Sequence, residues 1–221
     1  MSLLPIWTLM SVQFDKCESE IATFLANKST TITSARDFSL TDECLLEGVL
    51  SRAWQEWGNF CRSVVVQSCL GTATSSGVAV PAHPEALSEG HVAGAAKRAK
   101  ATPAPPTWRK QITLLRNEVT WGDTDTLATI LPLMAVPRAS HLLAAFSQAH
   151  ASAKAMQTIR NAAAHTNHQT LQEVAGLSSK YLAFQTTHPV QALFWTAPHS
   201  GDYLFRDALA DLKDNASDAI T

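Results

Sequence analysis

The chain has 221 residues, of which 46% are hydrophobic and 16% charged, with 17 basic and 19 acidic side chains. This composition excludes an intrinsically disordered chain and a highly charged coiled coil, and leaves a globular protein that can bury a core. The charge is uneven, because six basic residues and no acidic residue lie between Gly90 and Asn117, leaving eleven basic and nineteen acidic residues elsewhere. That segment is either a patch for a polyanion or a solvated linker.

Two helices are predicted in the first third of the chain. Apolar residues recur at roughly helical spacing between Thr8 and Lys28, which predicts one helix. A longer helix is predicted to begin at Thr41, an N-cap residue followed by two acids, and to end near Gly71. One face of this helix is apolar and is predicted to be buried; it consists of Leu46, Val49, Leu50, Ala53, Trp57, Phe60, Cys61 and Val64.

Residues 71–107 differ in composition from the rest of the chain. Small residues, glycine and proline dominate there, which favours a flexible insertion without a core of its own. The domain prediction is therefore a single domain over residues 1–221, with 71–107 inserted between helices.

Helical patterns return at Trp108 and continue towards the C-terminus. Helices are predicted over 108–119, 124–136, 140–160, 168–184, 189–195 and 201–214. No stretch combines sustained alternation of apolar and polar residues with turn residues, so the predicted fold class is all-α.

The four cysteines show no CxxC spacing, which predicts buried free thiols in a reducing compartment. The apolar N-terminus lacks the basic start and the cleavage site of a signal peptide. The longest apolar run is too short to span a bilayer and contains Pro132. A cytoplasmic protein without a membrane partner is therefore expected.

Residues 159–169 read IRNAAAHTNHQ and concentrate reactive side chains. If this segment is helical, Asn161, His165 and His168 lie on one stripe with Arg160 beside it. The three alanines remove bulk, which would let a second copy of the segment or a nucleic acid backbone approach. Arginine holds phosphate and imidazole moves protons, so the set suits phosphoryl transfer without metal. The alternative is a surface arginine and a histidine that caps a helix.

The segment from Arg160 to His165 resembles the signature of the HEPN superfamily, which is an arginine, a polar residue, a few variable residues and a histidine. The long helix, with AWQEWGNFCR at its middle, is similar to the aromatic-rich helix of the RiboL-PSP-HEPN branch. The resemblance covers residues 8–70 and 108–195, approximately. One position departs from it: several relatives carry an acid after the aromatic residue, where Gly58 follows Trp57 here.

The resemblance implies a HEPN-like helical bundle that acts as a metal-independent endoribonuclease and a symmetric homodimer. In it His165 would be the general base or acid, Arg160 would hold the scissile phosphate, and Asn161 would position it. The products would be a 2′,3′-cyclic phosphate and a 5′-hydroxyl, and no cofactor or metal is implied. By analogy, such an enzyme would be a toxin or phage-defence effector restrained by an antitoxin or other regulatory protein.

Further residues could contact RNA, namely His168, Trp108, Arg109 and Lys110, since bases stack on aromatic rings and basic side chains attract the backbone. His165 and His168 could also begin a zinc site, although the nearby ligands are poor. Two other functions stay open: a noncatalytic HEPN-like module that binds nucleic acid or protein, and a structural subunit whose apolar helices pack on another chain.

Overall fold

The computed structural model describes residues 2–28, 31–101, 107–108 and 117–221. The chain forms two compact units, each assembled from segments distant in sequence. The first contains Met1–Ser11, Trp57–His150 and Lys213–Thr221, and the second contains Val12–Glu56 and Ala151–Leu212. The described residues form eight α-helices and one two-stranded sheet, which confirms the all-α fold class. In the same residues, no helix has the length and hydropathy needed to cross a membrane.

The elements follow one another in a simple order. They are α1 (Leu4–Ala26), α2 (Leu40–Leu70), β1 (Thr72–Ala73), β2 (Ala79–Val80), α3 (Glu89–Ala101), α4 (Thr124–Leu133), α5 (Ala139–Gln148), α6 (His150–Ala164), α7 (His168–Leu177) and α8 (Leu204–Ala219).

Helix α2 confirms the predicted apolar face, because all eight of its predicted members are buried. The predicted cap is wrong. The helix begins at Leu40, after Ser39, whose N–H donates to Asp42 Oδ2 at 2.7 Å while Asp42 N–H donates to Ser39 Oγ at 3.3 Å. This reciprocal pair satisfies the N–H groups of Ser39 and Asp42, so the helix is capped at Ser39, two residues before Thr41.

The segment predicted as a coreless insertion contains regular structure. Strands β1 and β2 pair antiparallel, with Thr72 opposite Val80, and α3 packs against α4. Helix α3 buries Val92, Ala93, Ala95, Ala96 and Ala99. The loop prediction is therefore wrong for these residues. Alanine forms helix readily, and its short side chain lets neighbouring helices approach closely, so a helix rich in small residues can still enter a core. Residues 102–106 lie outside the described part.

The remaining helix predictions are confirmed in part. The helix predicted over 140–160 is divided into α5 and α6 at Ala149, where no glycine or proline marks the break. The helix predicted over 168–184 stops at Leu177, and residues 189–194 form a 3-10 helix. Most of the helix predicted over 108–119 falls on residues outside the described ranges.

Each unit has its own aromatic core. In the first, the Trp57 ring lies 5.8 Å from that of Phe60 and 6.0 Å from that of Phe146, measured between centroids. In the second, Phe194 lies 5.2 Å from Phe24 and 5.4 Å from Phe38.

Three of the four cysteines are buried, as predicted, but Cys44 is exposed. Burial raises the pKa of the Cys17 thiol to about 11 and that of Cys69 to about 12. Burial also places the pKa of Cys61 well above its usual value. Since the thiolate is the nucleophile, the three buried groups are both inaccessible and protonated near neutral pH.

We therefore expect iodoacetamide to modify one cysteine in the folded protein near neutral pH, and all four after unfolding in guanidinium. Peptide mapping by mass spectrometry would place the native modification at Cys44. A Cys44→Ser variant provides the control and should remain unmodified while folded. Rapid native labelling of Cys17, Cys61 or Cys69 would contradict the burial described here.

Candidate functional site

The reactive segment forms a junction between two helices. Helix α6 ends at Ala164 and α7 begins at His168, so His165 lies in the link between them. Its backbone N–H donates to Asn161 O at 2.9 Å. Asn167 is extended, with φ −150° and ψ 171°. The expectation of one helical stripe through Asn161, His165 and His168 is therefore wrong, because the helix stops between the two histidines.

The link is fixed by the first turn of α7. Asn167 is the N-cap: its Oδ1 accepts from Thr170 N–H at 3.0 Å, and Thr170 Oγ1 accepts from Asn167 N–H at 3.1 Å. The Asn167 amide and the Thr170 hydroxyl also donate to the carbonyl of His165, at 3.1 and 2.9 Å. Asparagine at this position favours a new helix start over continuation of the old helix.

An Asn167→Ala substitution is expected to reduce the free energy of unfolding by about 1 kcal/mol, since it removes the N-cap acceptor of α7. Asn167→Asp is the matched control: aspartate keeps the N-cap acceptor and loses only the 3.1 Å hydrogen bond to the His165 carbonyl, so it should lose less stability than alanine. Urea unfolding followed by circular dichroism would measure both. Equal stability of the alanine and aspartate variants would show that the cap contributes nothing.

The side chains of the motif occupy the end of α6. Arg160 and Asn161 are half-buried in its last turn, and Arg160 Nη1 donates to Asn161 Oδ1 at 3.2 Å. His165 completes the last i→i−4 hydrogen bond of α6, so its Cα lies one turn beyond Asn161. Asn161 is thus joined to Arg160 through its side chain and to His165 through its backbone. The structure brings the three predicted catalytic residues to one helix end.

The three alanines of the motif are not equivalent. Ala162 is fully buried with the core face of α6, whereas Ala163 is half-buried and Ala164 is exposed. The side chains of His165 and His168 are exposed as well. Of the three alanines, Ala163 and Ala164 therefore provide accessible surface beside the reactive groups, and Ala162 packs in the core.

The other predicted RNA contacts are placed only in part. Trp108 is half-buried, its Nε1 donates to Met134 O at 3.0 Å, and its ring stacks on that of His83 with centroids 4.5 Å apart. Part of its aromatic surface is therefore already covered by protein. Arg109 and Lys110 lie outside the described residues.

Gly58, where the sequence departs from the HEPN pattern, lies beside the backbone of Gly122. A Cβ atom at Gly58 would lie 3.6 Å from the backbone nitrogen of Gly122, which is an ordinary van der Waals contact. The neighbouring acid, Glu56, is 8% exposed and pairs with Arg52 at 2.9 Å. The negative charge of Glu56 is therefore neutralised by the Arg52 guanidinium.

No third zinc ligand joins His165 and His168, because no cluster of three or more histidine, cysteine or acidic side chains exists within the described residues. Sequence reasoning missed Asn167 and Thr170, although both determine where His165 stands. The sequence does contain a pattern that predicts this helix start: Asn167 and Thr170 are polar residues three positions apart, the spacing of a capping box.

Comparison of the chain with models of known protein families, with curated proteins and with solved structures finds no match. The likeness to HEPN proteins therefore rests on the residues of the motif and on their helical context.

Proposed function

We propose that the protein is a metal-independent endoribonuclease of the HEPN type. It cleaves RNA by attack of a 2′-hydroxyl on the adjacent phosphate and leaves a 2′,3′-cyclic phosphate and a 5′-hydroxyl. The observation that supports this proposal is the gathering of Arg160, Asn161 and His165 at the end of α6, with an exposed imidazole beyond a guanidinium bonded to an amide.

Each side chain has a distinct role in the proposed reaction. Arg160 binds a phosphate oxygen through charge-assisted hydrogen bonds and stabilises the charge that accumulates there. Asn161 orients the guanidinium through the 3.2 Å bond to its Nη1. His165 transfers a proton: the 2′-hydroxyl loses one as the new O–P bond forms, and the departing 5′-oxygen gains one as the old O–P bond breaks.

The proposed enzyme is a homodimer. The reaction uses one proton acceptor and one proton donor, and a two-fold axis near His165 supplies an imidazole from each chain. The short side chains of Ala163 and Ala164 leave room for a second chain or for RNA beside the motif. His168, exposed at the start of α7, is proposed to contact the RNA.

The biological setting belongs to the same proposal. The four free cysteines support a cytoplasmic protein. A cytoplasmic nuclease with this activity has the properties of a toxin or phage-defence effector, which an antitoxin or other regulatory protein must restrain.

The test is RNA cleavage by the purified protein in EDTA, with the product ends identified. We expect fragments with 2′,3′-cyclic phosphate and 5′-hydroxyl ends. Fragments with 5′-phosphate ends would overturn the proposed mechanism. RNA binding without cleavage would instead favour a noncatalytic binding module, and a protein that does neither would favour a structural subunit.

A further inference from the structure

Helix α7 forms one wall of a cleft in the second unit, with a volume of about 510 Å³. The other walls are formed by Tyr181, by residues 183–187, and by Pro189 and the buried Trp195. A volume of this size is typical of sites that enclose a small organic ligand. The motif residues Arg160, Asn161 and His165 are not part of its lining, so the cleft is a feature separate from the proposed catalytic groups.

The lining combines flat aromatic surface with neutral polar groups. Among the described residues, no charged side chain lines the cleft, and its polar side chains include Gln185, Thr186 and Thr187. Trp195 is fixed by a hydrogen bond from its Nε1 to Phe184 O at 3.0 Å, and its ring centroid lies 6.5 Å from that of Tyr181. This chemistry matches a planar, uncharged heteroaromatic ring, which needs stacking surface and neutral hydrogen-bond partners.

Hydrogen-bonding groups remain available in the cleft. Residues 183–186 belong to no helix or strand, and within the described chain their N–H groups make no hydrogen bond. Burial raises the pKa of Tyr181, with the nearby Asp207 and Asp211 adding to the effect, so its hydroxyl remains a donor. Donors without a protein partner at the edge of an aromatic cleft favour a ligand that supplies acceptors.

The cleft and the reactive junction share a helix face. Leu171, Ala175 and Ser178 line the cleft and follow one another at the spacing of a single helical stripe. His168 is the preceding member of that stripe, about 4.5 Å along the helix axis from Leu171. A chain of nucleotides that contacts His168 is therefore one helical turn from the cleft.

We propose that this cleft binds a single base of the RNA substrate, stacked on Tyr181 or Phe184 and hydrogen-bonded at its edge by Gln185 and the free N–H groups of 183–186. The inference rests on the proposed function for its ligand and adds base selection to it. A base that enters the cleft places its own phosphate towards the junction, so cleavage occurs beside a preferred nucleotide. An extended peptide would also use the free N–H groups, but it would not require the aromatic walls or their position beside His168.

The experiment is calorimetric titration of the protein with adenosine, guanosine, cytidine and uridine, and separately with ribose 5-phosphate, which lacks a base. We expect at least one nucleoside to bind more tightly than ribose 5-phosphate. A Tyr181→Leu substitution should weaken that binding about tenfold, which is the size of effect associated with losing one stacked base. Gln185→Ala, which truncates an exposed side chain, should weaken or alter the base preference.

The control is Leu182→Ala, which changes an exposed side chain of the same segment that does not line the cleft. It should bind nucleosides as the unsubstituted protein does. Failure of all four nucleosides to bind would overturn the inference, whether or not a peptide binds. Unchanged nucleoside affinity in both Tyr181→Leu and Gln185→Ala would overturn it as well.

The two proposals can fail separately. Nucleoside binding that Tyr181→Leu weakens, in a protein that does not cleave RNA, would support the base site and overturn the nuclease. Cleavage with the same KM and the same base preference in Tyr181→Leu would support the nuclease and overturn the base site.

Discussion

A His165→Ala substitution is expected to lower the rate of RNA cleavage in EDTA by about a hundredfold or more, the usual contribution of a positioned acid or base. The exposed imidazole lies at the end of α6 and carries protons in the proposed reaction. The matched control is His199→Ala, which removes another exposed histidine of the same unit, one that pairs with Asp207 at 3.1 Å. The control should cleave at the unsubstituted rate.

Arg160 allows a second comparison at the same site. Arg160→Ala removes the proposed phosphate contact, whereas Arg160→Lys keeps the charge but loses the planar fork that binds two oxygens. We expect the lysine variant to retain more activity than the alanine variant, and neither to reach the unsubstituted rate. Single-turnover rates and RNA affinity should be measured separately, after thermal unfolding shows that both variants fold. Cleavage that survives in both His165→Ala and Arg160→Ala would exclude this site.

A Trp57→Ala substitution is expected to lower the free energy of unfolding by about 3–5 kcal/mol, the usual cost of truncating a buried tryptophan. Trp57 is fully buried against Phe60 and Phe146, and its Nε1 donates to Gly122 O at 3.1 Å. Removal of the ring leaves a cavity, and it also leaves a buried carbonyl without its donor.

Urea unfolding would measure this loss as a lower midpoint with little change of slope. Trp57→Phe is the graded control: it keeps an aromatic ring and loses the indole N–H, so its loss should be smaller than that of alanine. Trp108→Ala, at a half-buried tryptophan, should also cost less than Trp57→Ala. A Trp57→Ala protein as stable as the unsubstituted one would contradict the packing around α2.

Helices α2 and α3 differ in the size of their buried side chains, and this difference explains why the sequence predicts α2 and not α3. In α2, large apolar residues from Leu46 to Val64 alternate with polar ones at helical spacing, so both the helix and its buried face were predictable. In α3, the buried positions are mostly alanine, and alanine gives little contrast between the two faces of a helix. The composition of this segment therefore predicts a loop. A helix can nevertheless be buried when one of its faces is complementary in shape to the helix beside it, as α3 is to α4.

The candidate site shows a similar division. The motif residues were found from their chemistry, but periodicity could not show that Asn167 ends the stripe, because a cap is a local hydrogen bond rather than a repeat. The cleft beside α7 was not predictable at all. One of its walls is a segment without helix or strand, anchored by a pair of hydrogen bonds between the backbones of Leu182 and Thr196, and such a segment has no periodic signature.

The link between α6 and α7 has a mechanical consequence. His165 is bonded on both sides, through its N–H to Asn161 in α6 and through its carbonyl to the first turn of α7. His165 therefore lies where the two helices meet: α6 carries Arg160, and α7 lines the cleft. A change in the angle between α6 and α7 displaces the far ends of the two helices most and the backbone of His165 least. The backbone of His165 is thus the point about which α6 and α7 would turn relative to each other.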